Sequence, residues 1–262
     1  MKKLTAFYFS GTGNTRYVTE ELCRRLSPGY QTQVLDISEP ADQEAALSSA
    51  ESVLLAFPIY GSSPPVPMRR FVYKHIRQLK DKELIVVATQ YLFSGDGAAS
   101  LGRTIERLGG RVSYAEHFDM PNNLSDCTAL KIRNGEEIER MLRKAERRMD
   151  GFARRILAGK SFRRGFHPLA HAVGYFCQRK WWRKTEDEKR GALKVDPQRC
   201  IGCGLCCRSC PVHNIVVEQG KARPQGDCAL CYRCVNLCPK QAIVLFGKQP
   251  PVHQYHGPRR EN

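Results

Sequence analysis

Lys3-Leu4-Thr5-Ala6-Phe7-Tyr8-Phe9, followed at once by Ser10-Gly11-Thr12-Gly13-Asn14-Thr15, decides how the chain is read. The first run is apolar and of strand length. Beyond the glycines, Tyr17, Val18, Leu22 and Leu26 recur on one helical face, and Pro28-Gly29 stops the pattern. A strand, a glycine-rich loop and a helix N-terminus together make an anion nest. Gly11 and Gly13 permit tight turns and close backbone approach. Ser10, Thr12, Asn14 and Thr15 offer donors, and the first-turn amides point the same way. The loop lacks the lysine of a Walker A loop and the third glycine of the dinucleotide fingerprint. It therefore suits a mononucleotide phosphate better than a pyrophosphate.

Four further short apolar runs follow, at 33–37, 53–57, 84–88 and 112–115. Helical patterns lie between them, one with Phe71, Val72, Ile76 and Leu79, another at 98–108 with Leu101, Ile105 and Leu108. The runs are nearly continuous rather than alternating, as a parallel sheet covered on both faces requires. The expected fold class is α/β, with a five-stranded doubly wound parallel sheet. Ligands of such sheets lie beyond the C-terminal strand ends. The loops at 10–15, 58–66 and 89–97, rich in Gly, Ser, Thr or Pro, should converge there on one pocket.

The Ser10-Gly11-Thr12-Gly13-Asn14-Thr15 loop resembles the phosphate loop of flavodoxins, and the likeness extends over roughly residues 1–118. It implies FMN, with Ser10, Thr12, Asn14 and Thr15 at the phosphate on a loop shaped by Gly11 and Gly13. It also implies an aromatic ring on the isoalloxazine from the second loop. Pro58-Ile59-Tyr60-Gly61 matches that stretch, which makes Tyr60 and Gly61 expected contacts. In the third loop, Gly95-Asp96-Gly97 matches a flavodoxin Gly-Asp, preceded by Tyr91. Pro64, Pro65 and Pro67 depart from ordinary flavodoxins.

After Met120-Pro121-Asn122-Asn123 breaks the pattern, 131–158 reads as a long amphipathic helix. Charge then becomes lopsided. Residues 1–130 hold 14 basic and 14 acidic residues, whereas 131–262 hold 28 and 12, so the net +16 lies in the second half. Residues 151–184 carry nine basic residues and no acidic one, with Phe162, Phe166, Phe176, Trp181 and Trp182 interleaved. Such a segment can steer an acidic redox partner, lie on an anionic membrane surface or stack on single-stranded nucleic acid. Packing between two domains with the basic heads turned outward is the favoured reading, and nucleic acid the disfavoured one. Residues 159–191 are expected to be a linker.

The second decisive stretch is Cys200-Ile201-Gly202-Cys203-Gly204-Leu205-Cys206-Cys207-Arg208-Ser209-Cys210-Pro211. Its C-x2-C-x2-C-x3-C-P spacing recurs 28 residues later at Cys228, Cys231, Cys234 and Cys238-Pro239. Three closely spaced thiolates can converge on one iron–sulfur cube. The fourth must come from farther off. Bacterial two-cluster ferredoxins have this pattern, and in them each copy's last cysteine ligates the other cluster. The resemblance assigns Cys200, Cys203, Cys206 and Cys238 to one [4Fe–4S] cluster and Cys228, Cys231, Cys234 and Cys210 to the second. Zinc held by four thiolates is the rival metal. Cys207 is read as a spare thiol. Apolar runs at 193–195, 215–217 and 242–245 should form short strands over the clusters. The expected organisation is a flavodoxin-like domain at 1–158, the linker at 159–191, an α+β ferredoxin-like two-cluster domain at 192–246 and a flexible tail at 247–262.

The whole resembles fused flavodoxin–ferredoxin proteins of anaerobic microbes, which implies electron transfer through two [4Fe–4S] clusters and FMN. A flavin-dependent reductase of a small molecule and a cluster-based sensor that binds nucleic acid are the alternatives. No secretory signal or membrane-spanning run is evident. A cytoplasmic setting with reduced thiols is expected.

Overall fold

A computed structural model describes residues 1–130 and 132–258. Lys131, which opens the expected 131–158 helix, and the last four residues of the expected tail lie outside the described residues. The chain begins as alternating strands and helices: β1 (Lys2–Tyr8), α1 (Asn14–Leu26), β2 (Tyr30–Asp36), α2 (Gln43–Ser49), β3 (Ser52–Pro58), α3 (Val66–Leu79), β4 (Glu83–Gln90), α4 (Ala99–Arg107), β5 (Val112–Asp119) and α5 (Gly135–Leu157). The strands pair in parallel in the order β2-β1-β3-β4-β5.

Successive strand side chains point to opposite faces, and in the central strands both sets are apolar. Leu4, Ala6, Leu54, Ala56, Ile85 and Val87 pack with Val18, Leu22 and Leu26 of α1 and Met149, Phe152 and Ile156 of α5. Phe7, Val53, Leu55, Phe57, Leu84 and Val86 pack on the other face with Leu47, Phe71, Val72, Leu79, Leu101 and Ile105. Helices on both faces explain why the runs do not alternate with polar residues. A capping box starts α5: the Asn134 side chain accepts from the Glu137 amide, and the Glu137 carboxylate accepts in return from the Asn134 amide.

The segment 159–191 departs from the expected linker. It adds a sixth strand, β6 (Phe162–Arg163), parallel to β5. It then forms α6 (Pro168–Gly174), a π-turn (Tyr175–Arg179) and α7 (Lys180–Gly191) in succession. Such π-turns are rare and frequently lie at functional sites. Here the turn ends at Arg179, which is buried and donates from Nε to the Ser62 carbonyl (2.7 Å) while pairing with Asp96. Glu186 of α7 is also buried and takes Arg69 of α3 at 2.7 Å. The charged end of the expected linker is thus part of a helix docked through Glu186.

The C-terminal region is α+β. β7 (Lys194–Val195) pairs antiparallel with β10 (Ile243–Val244), and β8 (Ile215–Glu218) forms a hairpin with β9 (Lys221–Pro224). Two short helices, α8 (Leu205–Arg208) and α9 (Arg233–Leu237), follow the cysteine loops. Residues 247–258 do not trail away as expected. Gln254 donates to the Val235 and Cys238 carbonyls, and buried Tyr255 donates to Asn14 Oδ1 at 2.5 Å. Among the described residues no helix is long and apolar enough to cross a membrane.

Candidate functional site

The C-terminal ends of β1, β3 and β4 open on a cleft. Ser10, Gly11, Thr12, Asn14, Thr15, Tyr60, Gly61 and Tyr91 line it. Gly13 caps α1 with a left-handed backbone (φ 95°), and its amide donates to Ser10 Oγ at 3.2 Å. This bond draws the loop into a ring at the helix N-terminus. Thr15 Oγ1 lies 2.8 Å from Thr89 Oγ1 and fixes the first loop to the end of β4. Asn14 Nδ2 donates to the Pro121 carbonyl at 2.8 Å, and Thr12 Oγ1 accepts from Asn123 at 3.2 Å.

Gly95, Asp96 and Gly97 are not brought to the cleft. Asp96 is fully buried and faces Arg103 (3.2 Å), Arg179 and His171 (3.2 Å). The third loop therefore anchors the inserted helices instead of facing the cleft. The physical reason is the insertion itself. A Cβ on Gly95 would strike Gly174, so α6 occupies the space in front of that loop.

Several lining residues escape sequence reasoning. Trp182 of α7, Leu230 and Phe246 complete the cleft from the second half of the chain, and Met120, Asn122 and Asn123 from the stretch after β5. Gly61 leaves no room for a side chain, because a Cβ there would collide with the Trp182 ring. Trp182 and Phe246 meet edge to face with centroids 6.5 Å apart. The only sequence signal for Trp182 is its place in an aromatic-rich run, which does not say what it covers.

Two side chains that line this cleft carry a buried polar atom without a hydrogen-bond partner among the described residues, the Tyr60 hydroxyl and Trp182 Nε1. Burial of such groups unpaired costs about 1–3 kcal/mol each. The Tyr60 phenol is pushed well above its ordinary pKa, first by burial and then by the nearby Cys231 and Cys228 thiols. It is a donor, not an anion. The glycine-rich loop at the helix N-terminus and the Trp182–Phe246 pair thus border one cleft.

The cysteines form two interleaved groups. Cys200, Cys203, Cys206 and Cys238 line one small cavity. The electrostatics of the others define the second group. Cys228 is pushed up to about 12 by burial and then by Cys231 and Cys210, and Cys234 is pushed up by burial, then Cys231, Cys228 and Cys210. Mutually repelling, buried thiols stay protonated until a cationic centre draws off their protons. Backbone amides already point at four sulfurs: Asn214 at Cys210 (3.2 Å), Ala242 at Cys238 (3.3 Å), Ala222 at Cys200 (3.4 Å) and Leu230 at Cys228 (3.3 Å). Such bonds stabilise negative sulfur.

The backbone repeats as well. Left-handed residues occur at Gly202, Gly204 and His213, and again 28 positions on at Leu230, Tyr232 and Gln241. The Asn214 and Ala242 amide bonds share that offset. This duplication of conformation goes beyond the duplication of cysteines. Among the described residues, no three His, Cys, Asp or Glu side chains stand close enough to hold a single metal ion. In a four-iron cube each thiolate binds a different iron, which spreads the sulfurs wider than one tetrahedral zinc does. Four thiols in each group are the kind of donor set that a cluster takes.

The two sites touch. Arg233, just after the second cysteine group begins, donates to the carbonyls of Ser10 (2.6 Å) and Gly11 (3.3 Å). Gly11 packs so closely on the Cys231 backbone that a Cβ would collide with its carbonyl. Ala229 and Cys231 join the apolar cluster on the α2–α4 face of the sheet. Asp126 also bridges the halves. Its Oδ2 accepts from the Leu245 (2.6 Å), Phe246 (3.0 Å) and Gly247 (3.1 Å) amides, and its Oδ1 accepts from the Tyr232 hydroxyl at 2.6 Å.

Parts of the chain resemble known proteins. The flavodoxin domain family described as Flavodoxin_5 matches residues 6–163. An uncharacterized protein of Methanocaldococcus jannaschii is 37% identical over 51 residues, 20% of each chain. An uncharacterized ferredoxin of the same organism is 34% identical over 68 residues, 23% of this chain and 43% of its own. The chain spans less than half the length of either of these curated relatives. A solved flavodoxin from the domain Archaea covers 59% of this chain and 99% of its own, at 16% identity and a TM-score of 0.43.

Proposed function

From the premise that this chain belongs to the flavodoxin domain family, we propose that it transfers electrons between redox partners through an FMN in the cleft and two [4Fe–4S] clusters in the interleaved cysteines. Contact between the two sites carries this reading. Leu230, between Cys228 and Cys231, lines the same cleft as Ser10 and Tyr60, and the Cys231 backbone lies against Gly11. When bound, the flavin supplies a one- or two-electron store and each cluster a one-electron carrier.

The chain's own residues have distinct tasks. The amides after Gly13, with Ser10, Thr12, Asn14 and Thr15, hold the phosphate. Tyr60 and Trp182 would border the ring, and Trp182, Phe246, Leu230 and Met120 would exclude water from it. Cys228, Cys231, Cys234 and Cys210 hold the inner cluster. Cys200, Cys203, Cys206 and Cys238 hold the outer one. Cys203 is exposed and Ile201 is 60% exposed beside it, so the outer cluster is the port for a protein partner. The excess positive charge of the second half favours an acidic partner. A reductase of a small molecule would need open space over the flavin, which Trp182 and Phe246 restrict.

The test is cofactor analysis of protein purified without oxygen. Denaturation should release roughly one FMN per chain, beside about eight irons with matching sulfide for two four-iron clusters. Iron and sulfide without flavin would overturn the assignment of the cleft. Zinc, or iron without sulfide, would overturn the assignment of the cysteines.

A further inference from the structure

A second cavity, of about 600 Å³, lies between α3, α4 and the inserted helices, apart from the cleft and the cysteines. Five arginines line it: Arg69, Arg103, Arg107, Arg179 and Arg183. Its one lining carboxylate, Glu106, is held by Arg163 from outside. Behind the wall, Asp96 answers Arg103 and Arg179, and Glu186 answers Arg69. Arg107 bonds only the Arg103 carbonyl and Thr104 among the described residues, and Arg107 and Arg183 are both exposed to solvent. Two guanidinium groups are left without a carboxylate.

An independent feature of the cavity wall is Ser63. It is 1% exposed, and its hydroxyl has no hydrogen-bond partner among the described residues. A buried, unpaired hydroxyl on the wall of a cavity lined by five arginines and one carboxylate fits an anion. Arg103 points the same way. Its guanidinium is held below its ordinary pKa by burial, and repulsion from Arg179 and Arg163 adds to this against the pull of Asp96.

We propose that this cavity binds a small phosphate-bearing anion. Arginines line it and lysines do not, and the planar guanidinium fork matches phosphate oxygens in pairs. The volume accepts a nucleotide-sized molecule, and Tyr73 and Tyr175 on its walls provide aromatic surface for a base. A concave site of this size suits a small molecule better than the flat face of a protein partner.

The site is mechanically linked to the cleft. Ser63 and Tyr60 exchange both backbone hydrogen bonds at 2.9 Å, and Arg179 holds the Ser62 carbonyl between them. An anion drawn to Ser63 would therefore act on the loop that carries Tyr60. This linkage rests on the flavin reading above, whereas anion binding stands without it.

The experiment is calorimetric titration of the full chain with inorganic pyrophosphate, at low and at physiological salt. Wild-type protein should bind with an affinity that falls as salt rises. Arg183→Gln and Arg107→Gln, both at exposed positions, should each weaken binding about tenfold through loss of a charge-assisted bond. Lys184→Gln, one residue outside the cavity, should leave it unchanged. If pyrophosphate fails to bind, or binds equally to all variants, the proposal fails. If an acidic peptide binds with the same arginine dependence while pyrophosphate does not, the surface is a protein dock and the proposal also fails. In flavin-loaded protein, pyrophosphate should shift flavin fluorescence in wild type and not in Arg183→Gln. An unmoved signal despite tight binding would overturn the linkage alone.

Discussion

Replacing Asp126 by alanine tests whether the two halves of the chain fold as one unit. The carboxylate is 4% exposed and satisfies four donors: the Tyr232 hydroxyl and the amides of Leu245, Phe246 and Gly247. Tyr232 and Leu245 are 1% and 4% exposed, so truncation strands their donors in apolar surroundings. Phe246 and Gly247 are half-buried, and water can replace part of what they lose. At about 2 kcal/mol for each fully buried donor, Asp126→Ala should destabilise the protein by about 4 kcal/mol. That is a large share of the roughly 5–15 kcal/mol that holds a domain together. Asp126→Asn should cost only about 1 kcal/mol, since its amide oxygen can face the three N–H groups while its NH2 group donates to the tyrosine oxygen. The assay is urea unfolding of the cofactor-loaded protein, followed by Trp182 fluorescence, because that ring packs on Phe246. An alanine variant within about 0.5 kcal/mol of wild type would refute the idea that Asp126 ties the halves together.

His117 is buried, and its pKa is lowered to about 4 by burial and then by Arg148. The unfolded chain therefore takes up a proton that the folded chain refuses: the stabilisation is intact above the ordinary pKa of about 6.5 and lost as pH falls to about 4, by about 3 kcal/mol in all. His117→Gln should flatten the acid limb of a plot of unfolding free energy against pH, and an unchanged limb would contradict this origin. Cys238→Ser should spoil the cluster assigned to Cys200, Cys203 and Cys206 and spare the other, whereas Cys207→Ser should retain both; low-temperature electron paramagnetic resonance of the reduced protein distinguishes these outcomes, and loss of the Cys228-group signal in Cys238→Ser would exclude the crossed arrangement.

The five main strands were legible in the sequence because burial on both faces forces long apolar runs such as Val53, Leu54, Leu55, Ala56 and Phe57. The first loop was legible because a turn from strand to helix leaves few choices at Ser10, Gly11 and Gly13. The 28-residue cysteine repeat was equally plain. The inserted helices were hidden: α7 is mostly charged, and only Glu186 on it is buried, held by an arginine more than a hundred residues earlier. Asp96 was misplaced for the same reason, since Arg103, Arg179 and His171 come from distant elements that no local pattern connects. The sixth strand is two residues long, too short for periodicity to register. Packing of residues 247–258 against Asn14 and Asn236 left no compositional trace, because a strap held by single hydrogen bonds needs no apolar run.

The two cysteine loops share a backbone path but not a tolerance for change. Where the first bends through Gly202 and Gly204, the second bends through Leu230 and Tyr232, at about 1–2 kcal/mol of steric cost per residue. Those side chains repay the tension locally: Leu230 walls the cleft and Tyr232 reaches Asp126. The outer loop needs its glycines, since a Cβ on Gly202 would meet the Gly220 carbonyl, while the inner loop has become a keystone whose side chains are fitted to the sheet beneath it. Transplanting the outer sequence into the inner position would ease the backbone and open a seam between the halves.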